Sequence, residues 1–383
     1  MMFEPSVIHI SKAAYAANLA FLRERLRGAR LCSVVKGNAY GHGLATFVPM
    51  AMEAGVDYFA VYSADEACTL ISSVDRKPQV FIMGMVEDDA LAWAIEQGVE
   101  CCIHDMHRLE HALRIADRAG VKARIHIEAE TGMNRTGFAA TDIPKAIARL
   151  IERRASVELI GLFTHFAGAE SRGNDQRITR QIDRFTAVRE EFHAKGLRPT
   201  YAHQACSAAM MNYPATVDGM ARIGIMQYGF WPNQETWFRY SATNNAAVDP
   251  LRRVISWSSR VMAVTQVGAG ERIGYGESSP ALRDMRVAVV PVGYAHGFDR
   301  GLSNMGRVLI RGQHASVIGI VNMNAITVDI TDIEGAEKGD EVMLIGQQGD
   351  QWISVSSFSE MSEQLNYEML TRLPRDIPRI LTD

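Results

Sequence analysis

The chain has 383 residues, 47% hydrophobic and 22% charged, with a formal net charge of −4. That is enough length for two domains and a large core, in the composition of an ordinary globular protein. It leaves no basic surplus to attract nucleic acid. Met1 to Pro5 shows no positive region leading into an apolar run, and nowhere do 18 uncharged apolar residues stand together. No signal peptide, no membrane and a cytoplasmic location are therefore expected. Five cysteines (Cys32, Cys68, Cys101, Cys102, Cys206) are odd in number and lack metal-ligand spacing; reduced thiols and no metal site follow.

In chain order, Val7 to Ile10 is a short apolar run, and Leu19, Leu22 and Leu26 recur at helical spacing. From residue 30 an alternation begins. Strand-like runs at 31–35, 57–61, 79–83, 99–103, 123–128, 159–163, 199–203 and 220–223 are separated by helical patterns at 44–54, 64–72, 87–97, 105–119, 142–153 and 175–195. Seven or eight βα units in about 240 residues match a (β/α)8 barrel of the TIM type. An open doubly wound sheet is the alternative, but no Gly-x-Gly-x-x-Gly follows a first strand. Residues 233–250 are polar and read as a connecting loop. Strands then follow closely at 252–265, 286–292, 307–310, 314–320, 325–330 and 341–345, with a short helix over 355–365 and a proline-broken tail. The expected organisation is a barrel domain over 1–240 and a mostly β domain over 241–383, with residues 1–10 as candidates to pack with the latter.

The most informative stretch is Val34-Val35-Lys36-Gly37-Asn38-Ala39-Tyr40-Gly41-His42-Gly43. A lysine at the end of a buried strand, followed by a glycine-rich loop, is half desolvated. Burial disfavours the ammonium and exposes a nucleophilic amine, as a Schiff-base lysine needs. A lysine that only caps its strand remains the alternative.

Four later clusters also end predicted strands, where barrel enzymes carry their chemistry. Glu128-Ala129-Glu130-Thr131-Gly132-Met133-Asn134-Arg135 offers an arginine for a substrate carboxylate, or a structural Arg–Glu pair. Thr164-His165 offers a proton relay, or a satisfied structural histidine. Cys206-Ser207-Ala208 suits phosphate contact near a helix start, or a plain helix cap. Arg222-Ile223-Gly224-Ile225 sets a permanent cation beside a bare backbone. Tyr275 between Gly274 and Gly276, Met323 between Asn322 and Asn324, and Tyr367 stand out later; core, turn or surface roles are open for each.

Taken together, these motifs resemble the alanine racemase family over nearly the whole chain, in the family's order and at about its spacing. The resemblance implies a barrel followed by a β domain, bound pyridoxal 5'-phosphate, and a head-to-tail homodimer with shared active sites. It implies that Lys36 carries the cofactor and is one of two catalytic bases, the other being Tyr275 from the second copy. His165 would link Tyr275 to Arg222, and Arg222 would face the pyridine nitrogen. Tyr40, Ser207, Gly224, Ile225 and Tyr367 would hold the phosphate. Arg135 and the backbone of Met323 would hold the substrate carboxylate, and Tyr294 and Arg300 would line the substrate path.

Some positions depart from the family's commonest pattern. Glu128 stands where many members have a carbamate-bearing lysine, and is expected to orient Arg135 directly. Asn324 stands where aspartate is common, Cys206 where asparagine is, and Gly37 where alanine is. The expected function is racemisation of L- and D-alanine, supplying D-alanine for peptidoglycan. A serine or broad-spectrum racemase is the alternative. A non-catalytic cofactor carrier fits less well, since such proteins lack the β domain. So do a barrel decarboxylase, against which Arg222 argues, and a D-amino-acid aldolase, which would want a metal site.

Overall fold

The computed structural model describes residues 5–86, 88–276, 279–362 and 366–383. It divides into two compact units: Ala14–Gly37 with Val48–Arg252, and Met1–Ala13 with Asn38–Phe47 and Arg253–Asp383.

Strand β1 is Ser6–Ser11 and belongs to the second of these units. The other unit carries β2 (Arg30–Val34), β3 (Tyr58–Val61), β4 (Gln79–Ile82), β5 (Glu100–Ile103), β6 (Ala123–Glu128), β7 (Val157–Phe163), β8 (Tyr201–His203) and β9 (Met220–Ile223). All pair in parallel, in the order β8-β7-β6-β5-β4-β3-β2-β9. The two end strands come into contact, so the sheet is a nearly closed eight-stranded barrel. Strands β3, β5 and β9 are buried along their whole length. Burial at every position belongs to strands covered on both faces. Helices at Ala64–Ser72, Asp88–Glu96, Met106–Ala119, Ile143–Glu152 and Asp175–Ala194 fall within a residue or two of the periodicity.

One reading is corrected here. Residues 233–250 are not all loop: Gln234–Asn244 is a helix. Asn233 caps it by accepting from Thr236 N–H, and Asn245 ends it in the left-handed region. Its anchors are aromatic, with the Trp237 and Tyr240 rings 5.3 and 5.2 Å from Trp231. Polar residues around them hid the period.

The second unit is one ten-stranded sheet. Its strands are β1, β10 (Ile255–Arg260), β11 (Ala263–Val267), β12 (Met285–Val290), β13 (Arg307–Ile310), β14 (Gln313–Ile318), β15 (Ile326–Asp329), β16 (Glu341–Gln348), β17 (Gln351–Ile353) and β18 (Arg379–Thr382). The order runs β11-β12-β15-β14-β13-β16-β10-β1-β18, with β17 on β16. The predicted strand 252–265 is two strands. The proline-broken tail ends in β18, which pairs in parallel with β1. Short helices cover Val355–Ser362 and Asn366–Thr371; the intervening part of the predicted helix lies outside the described residues.

Residues 38–47, which the sequence reading placed in the barrel domain, group with the β unit for a visible reason. Gly41 lies against Leu370, and its carbonyl accepts from the Arg379 guanidinium at 3.0 Å. Gly41 has φ of 80°, and a Cβ there would overlap the Leu370 carbonyl oxygen. Gly41→Ala is therefore expected to cost at least about 2 kcal/mol in urea unfolding, because strain and overlap add. A change within about 0.5 kcal/mol would contradict this packing.

Candidate active site

The predicted loop after β2 is a left-handed helical turn. Gly37, Asn38, Ala39, Tyr40 and Gly41 all have positive φ, between 50 and 80°. Each such residue other than glycine costs about 1–2 kcal/mol, so the surroundings must over-determine the turn. The His42 Nδ1–H donates to the carbonyls of Ala39 and Tyr40, at 3.0 and 2.9 Å. Asn38 Oδ1 accepts from Leu44 N–H at 2.8 Å and so ties the turn to the next helix. Tyr40 is buried with its ring 6.0 Å from that of Tyr367.

Lys36 sits at the C-terminal mouth of the barrel. The Glu66 carboxylate holds the backbone on both sides, accepting from Gly37 N–H at 2.7 Å and Tyr62 N–H at 2.9 Å. Gln227 and Tyr228 donate to the Val34 carbonyl at 3.0 Å each. Solvent reaches Lys36, yet protein surrounds it closely enough to desolvate the ammonium. That desolvation, then Arg135 and Arg222, lower its pKa, and Glu66 opposes them. A reachable amine with weakened proton affinity is a nucleophile in waiting.

Arg222, only 4% exposed, is fixed through both terminal nitrogens. One donates to the Thr164 carbonyl at 2.7 Å, the other to His203 Nδ1 at 2.6 Å and the His203 carbonyl at 3.0 Å. His165 is close enough for Arg222, Arg135 and Lys36 to bear on it. Desolvation and then these cations push its pKa down to about 3. Ser207 Oγ accepts from Gly224 N–H at 3.0 Å, leaving its own O–H to donate, and Ile225 is buried beside them.

Two expectations are corrected. The ring hydrogen-bonded to Arg222 is His203, not His165. Among the described residues, Glu128 makes no ion pair or hydrogen bond to Arg135; its carboxylate accepts from Cys102 Sγ at 3.8 Å. The loop is held instead by Glu130, which accepts from Gly132, Asn134 and Arg135 N–H groups. Arg135 itself is exposed.

In the β unit, Tyr275 is 73% exposed at the tip of a loop, flanked by Gly274 and Gly276 at positive φ. Met323 and Tyr294 are also exposed, as are Asn324 and Arg300. The Met323 carbonyl accepts from Ala295 N–H at 2.9 Å, so only its N–H suits a carboxylate. The loop thus presents the Tyr275 phenol to solvent in the single chain.

Sequence reasoning missed His203 and its neighbours His126 and Glu100, all buried inside the barrel. Their signal was polar residues within otherwise apolar strands, together with Gly161 in β7. A Cβ at Gly161 would overlap the His126 ring. A strand glycine often marks such close approach.

Four imidazoles here are held neutral. Burial pushes His42 down to about 4 and His165 to about 3; it also lowers His126, and His203 well below the usual range. The native state therefore binds fewer protons than the unfolded chain below about pH 6.5. Their contribution is complete above that pH. It is lost as pH falls towards the folded values, at about 1.4 kcal/mol per pH unit for each imidazole. Denaturant midpoints are expected to drop steeply between about pH 6.5 and 5, and a flat profile would contradict the assignment.

No helix among the described residues is long and apolar enough to cross a membrane, and no group of three or more metal-ligating side chains is found there. The family model for the alanine racemase N-terminal domain matches residues 10–232, and that for its C-terminal domain matches 254–381. An alanine racemase of Symbiobacterium thermophilum is 33% identical over 376 residues, covering 98% of this chain and 96% of the relative. The crystal structure of alanine racemase from Streptomyces lavendulae has a TM-score of 0.90 at 27% identity, covering 100% of this chain and 98% of that one. The Bacillus anthracis alanine racemase with bound L-Ala-P has a TM-score of 0.90 at 26% identity, covering 100% and 96%.

Proposed function

This chain belongs to the alanine racemase family, and from that premise we propose that it interconverts L- and D-alanine with pyridoxal 5'-phosphate, supplying D-alanine for peptidoglycan. The observation that carries the reading is Lys36: a reachable, desolvated amine with Arg135 and Arg222 bearing on it at the barrel mouth. The donor set fits the cofactor. Ser207 O–H and the backbone N–H of Ile225 suit its phosphate, with Gly224, Tyr40 and Tyr367 assigned to the same group by resemblance. Arg222 has donors only, so a ring nitrogen facing it must accept and stay unprotonated.

When bound, the cofactor supplies an electron sink that acidifies the substrate Cα–H. An unprotonated ring nitrogen makes that sink weaker, which disfavours decarboxylation and transamination. Lys36 would hold the cofactor, and its Nζ would take or return the proton on one face of Cα. The phenol of Tyr275, from the second copy of a homodimer, would serve the opposite face, with His165 supporting it. Racemisation needs this opposition, since one base alone returns the proton to the face it came from. Arg135 and Met323 N–H would orient the substrate carboxylate. Tyr294 and Arg300 would line the path by which substrate arrives.

Asn324, exposed beside Met323, puts an amide where a charge is common, which makes serine or a broader range of amino acids the second reading. Chiral chromatography of the loaded protein's products from L-alanine and L-serine tests both readings. D-alanine formed fastest supports the first. Faster D-serine moves the specificity, and no D-product from any amino acid contradicts the function.

A further inference from the structure

We propose that Glu100, at the N-terminal end of the barrel, is a positioning residue for Arg222 at the opposite mouth, acting through the imidazoles of His126 and His203. The inference rests on the reading of Arg222 as the cofactor's partner.

The relay can be followed atom by atom. An Arg222 terminal nitrogen lies 2.6 Å from His203 Nδ1. His203 Nε2 lies 2.9 Å from His126 Nδ1, and His126 Nε2 lies 2.8 Å from Glu100 Oε2. Tyr58 O–H also donates to Glu100 Oε2, and Arg124 donates to Oε1 at 2.9 Å. Glu100 and Tyr58 begin their strands, whereas His203 ends β8. The polar chain therefore crosses the barrel interior.

Its protons have one consistent arrangement. A guanidinium can only donate, so His203 Nδ1 must accept and its proton sits on Nε2. That proton points at His126 Nδ1, so the His126 proton also sits on Nε2 and points at the Glu100 carboxylate. Every donor faces away from Arg222. Protonating either ring would set two N–H groups against each other, which agrees with the lowered pKa of both.

The rings cannot easily turn. His126 is stacked on Phe81 with centroids 4.0 Å apart, and His203 on Phe163 at 4.9 Å. The bare backbone of Gly161 leaves the space that His126 fills. Among the described residues no carboxylate lies within ion-pair distance of Arg222; Glu128 bears on it through space, and the hydrogen-bonded path to a carboxylate runs through two neutral rings to Glu100. Hydrogen bonds chained in a low-dielectric interior polarise one another. Glu100 thereby fixes the guanidinium plane and tempers its charge; it touches neither substrate nor cofactor.

The test uses the full chain labelled with 15N-histidine, and two variants. In the parent, His126 and His203 should both be neutral, with the proton on Nε2, from roughly pH 6 to 9. A proton on His203 Nδ1 overturns the relay. Glu100→Gln keeps an acceptor but removes the charge, so the pH midpoint of Lys36 should fall. Arg124→Gln removes the opposing cation, so that midpoint should rise. Both midpoints are read by trace acetylation of the cofactor-free protein, peptide by peptide. In the loaded Glu100→Gln protein, kcat for alanine should drop about tenfold with KM within about twofold. Midpoints that stay put, or move together, overturn the proposal. If Glu100→Gln does not fold, Arg124→Gln decides by sign alone. If the parent racemises no amino acid, the functional reading fails, while the spectra and labelling still judge the relay.

Discussion

Tyr275→Phe is expected to lower alanine racemisation by about 10²–10⁴-fold, the span typical of a lost general acid–base group. Tyr275 is 73% exposed between two glycines at positive φ, and its loop carries the phenol outward. A side chain that exposed in its own chain contributes little to that chain's folding, and surface changes of this kind stay within about 0.5 kcal/mol. Lost turnover would therefore report lost chemistry. The variant should still bind cofactor and should still exchange the α-proton of one enantiomer, with retention, through Lys36. Inversion is what it should lose. Racemisation within about threefold of the parent would remove Tyr275 from the mechanism.

Lys36→Met should have the larger effect, a loss of at least about 10⁴-fold, since on the proposed mechanism it would remove a base and the cofactor's point of attachment together. Borohydride should no longer fix pyridoxal phosphate to the chain. A second signature should accompany it. The Lys36 ammonium is disfavoured in the folded chain by desolvation, then by Arg135 and Arg222. Its folded pKa lies below the unfolded one, so at neutral pH the native state bears the penalty and the unfolded chain does not. Replacing the amine with a thioether relieves it, and the thermal midpoint should rise. Activity lost with stability gained marks a group kept for function. A variant that is both inactive and less stable would recast Lys36 as structural.

Much of this was legible in the sequence because period and burial coincided. Strands β2 to β9 are mostly buried, short runs rich in apolar residues, and fell close to where the alternation put them. The resemblance brought Lys36, Arg222 and Tyr275 forward because it was carried by long strings rather than single residues. What stayed hidden was set by contacts distant in sequence. Asn38, Ala39 and Tyr40 adopt the left-handed region because His42 and Asn38 tie their turn. Strand β18 forms after two prolines because β1, over 360 residues earlier, offers it an edge. The helix at Gln234–Asn244 packs aromatic rings among polar neighbours, which no apolar count registers. His126 and His203 drew no notice singly; only the barrel sets them in line with Glu100 and Arg222.

Two-base racemisation of alanine would be read out in the fate of the α-proton. The loaded protein would be incubated in D₂O with L-alanine, and both enantiomers followed over the first turnovers by proton NMR and chiral separation. Two opposed bases predict D-alanine that carries deuterium at Cα from its first appearance, while the remaining L-alanine stays largely protonated. D-alanine that keeps the substrate's proton, or L-alanine that exchanges without inverting, would contradict it.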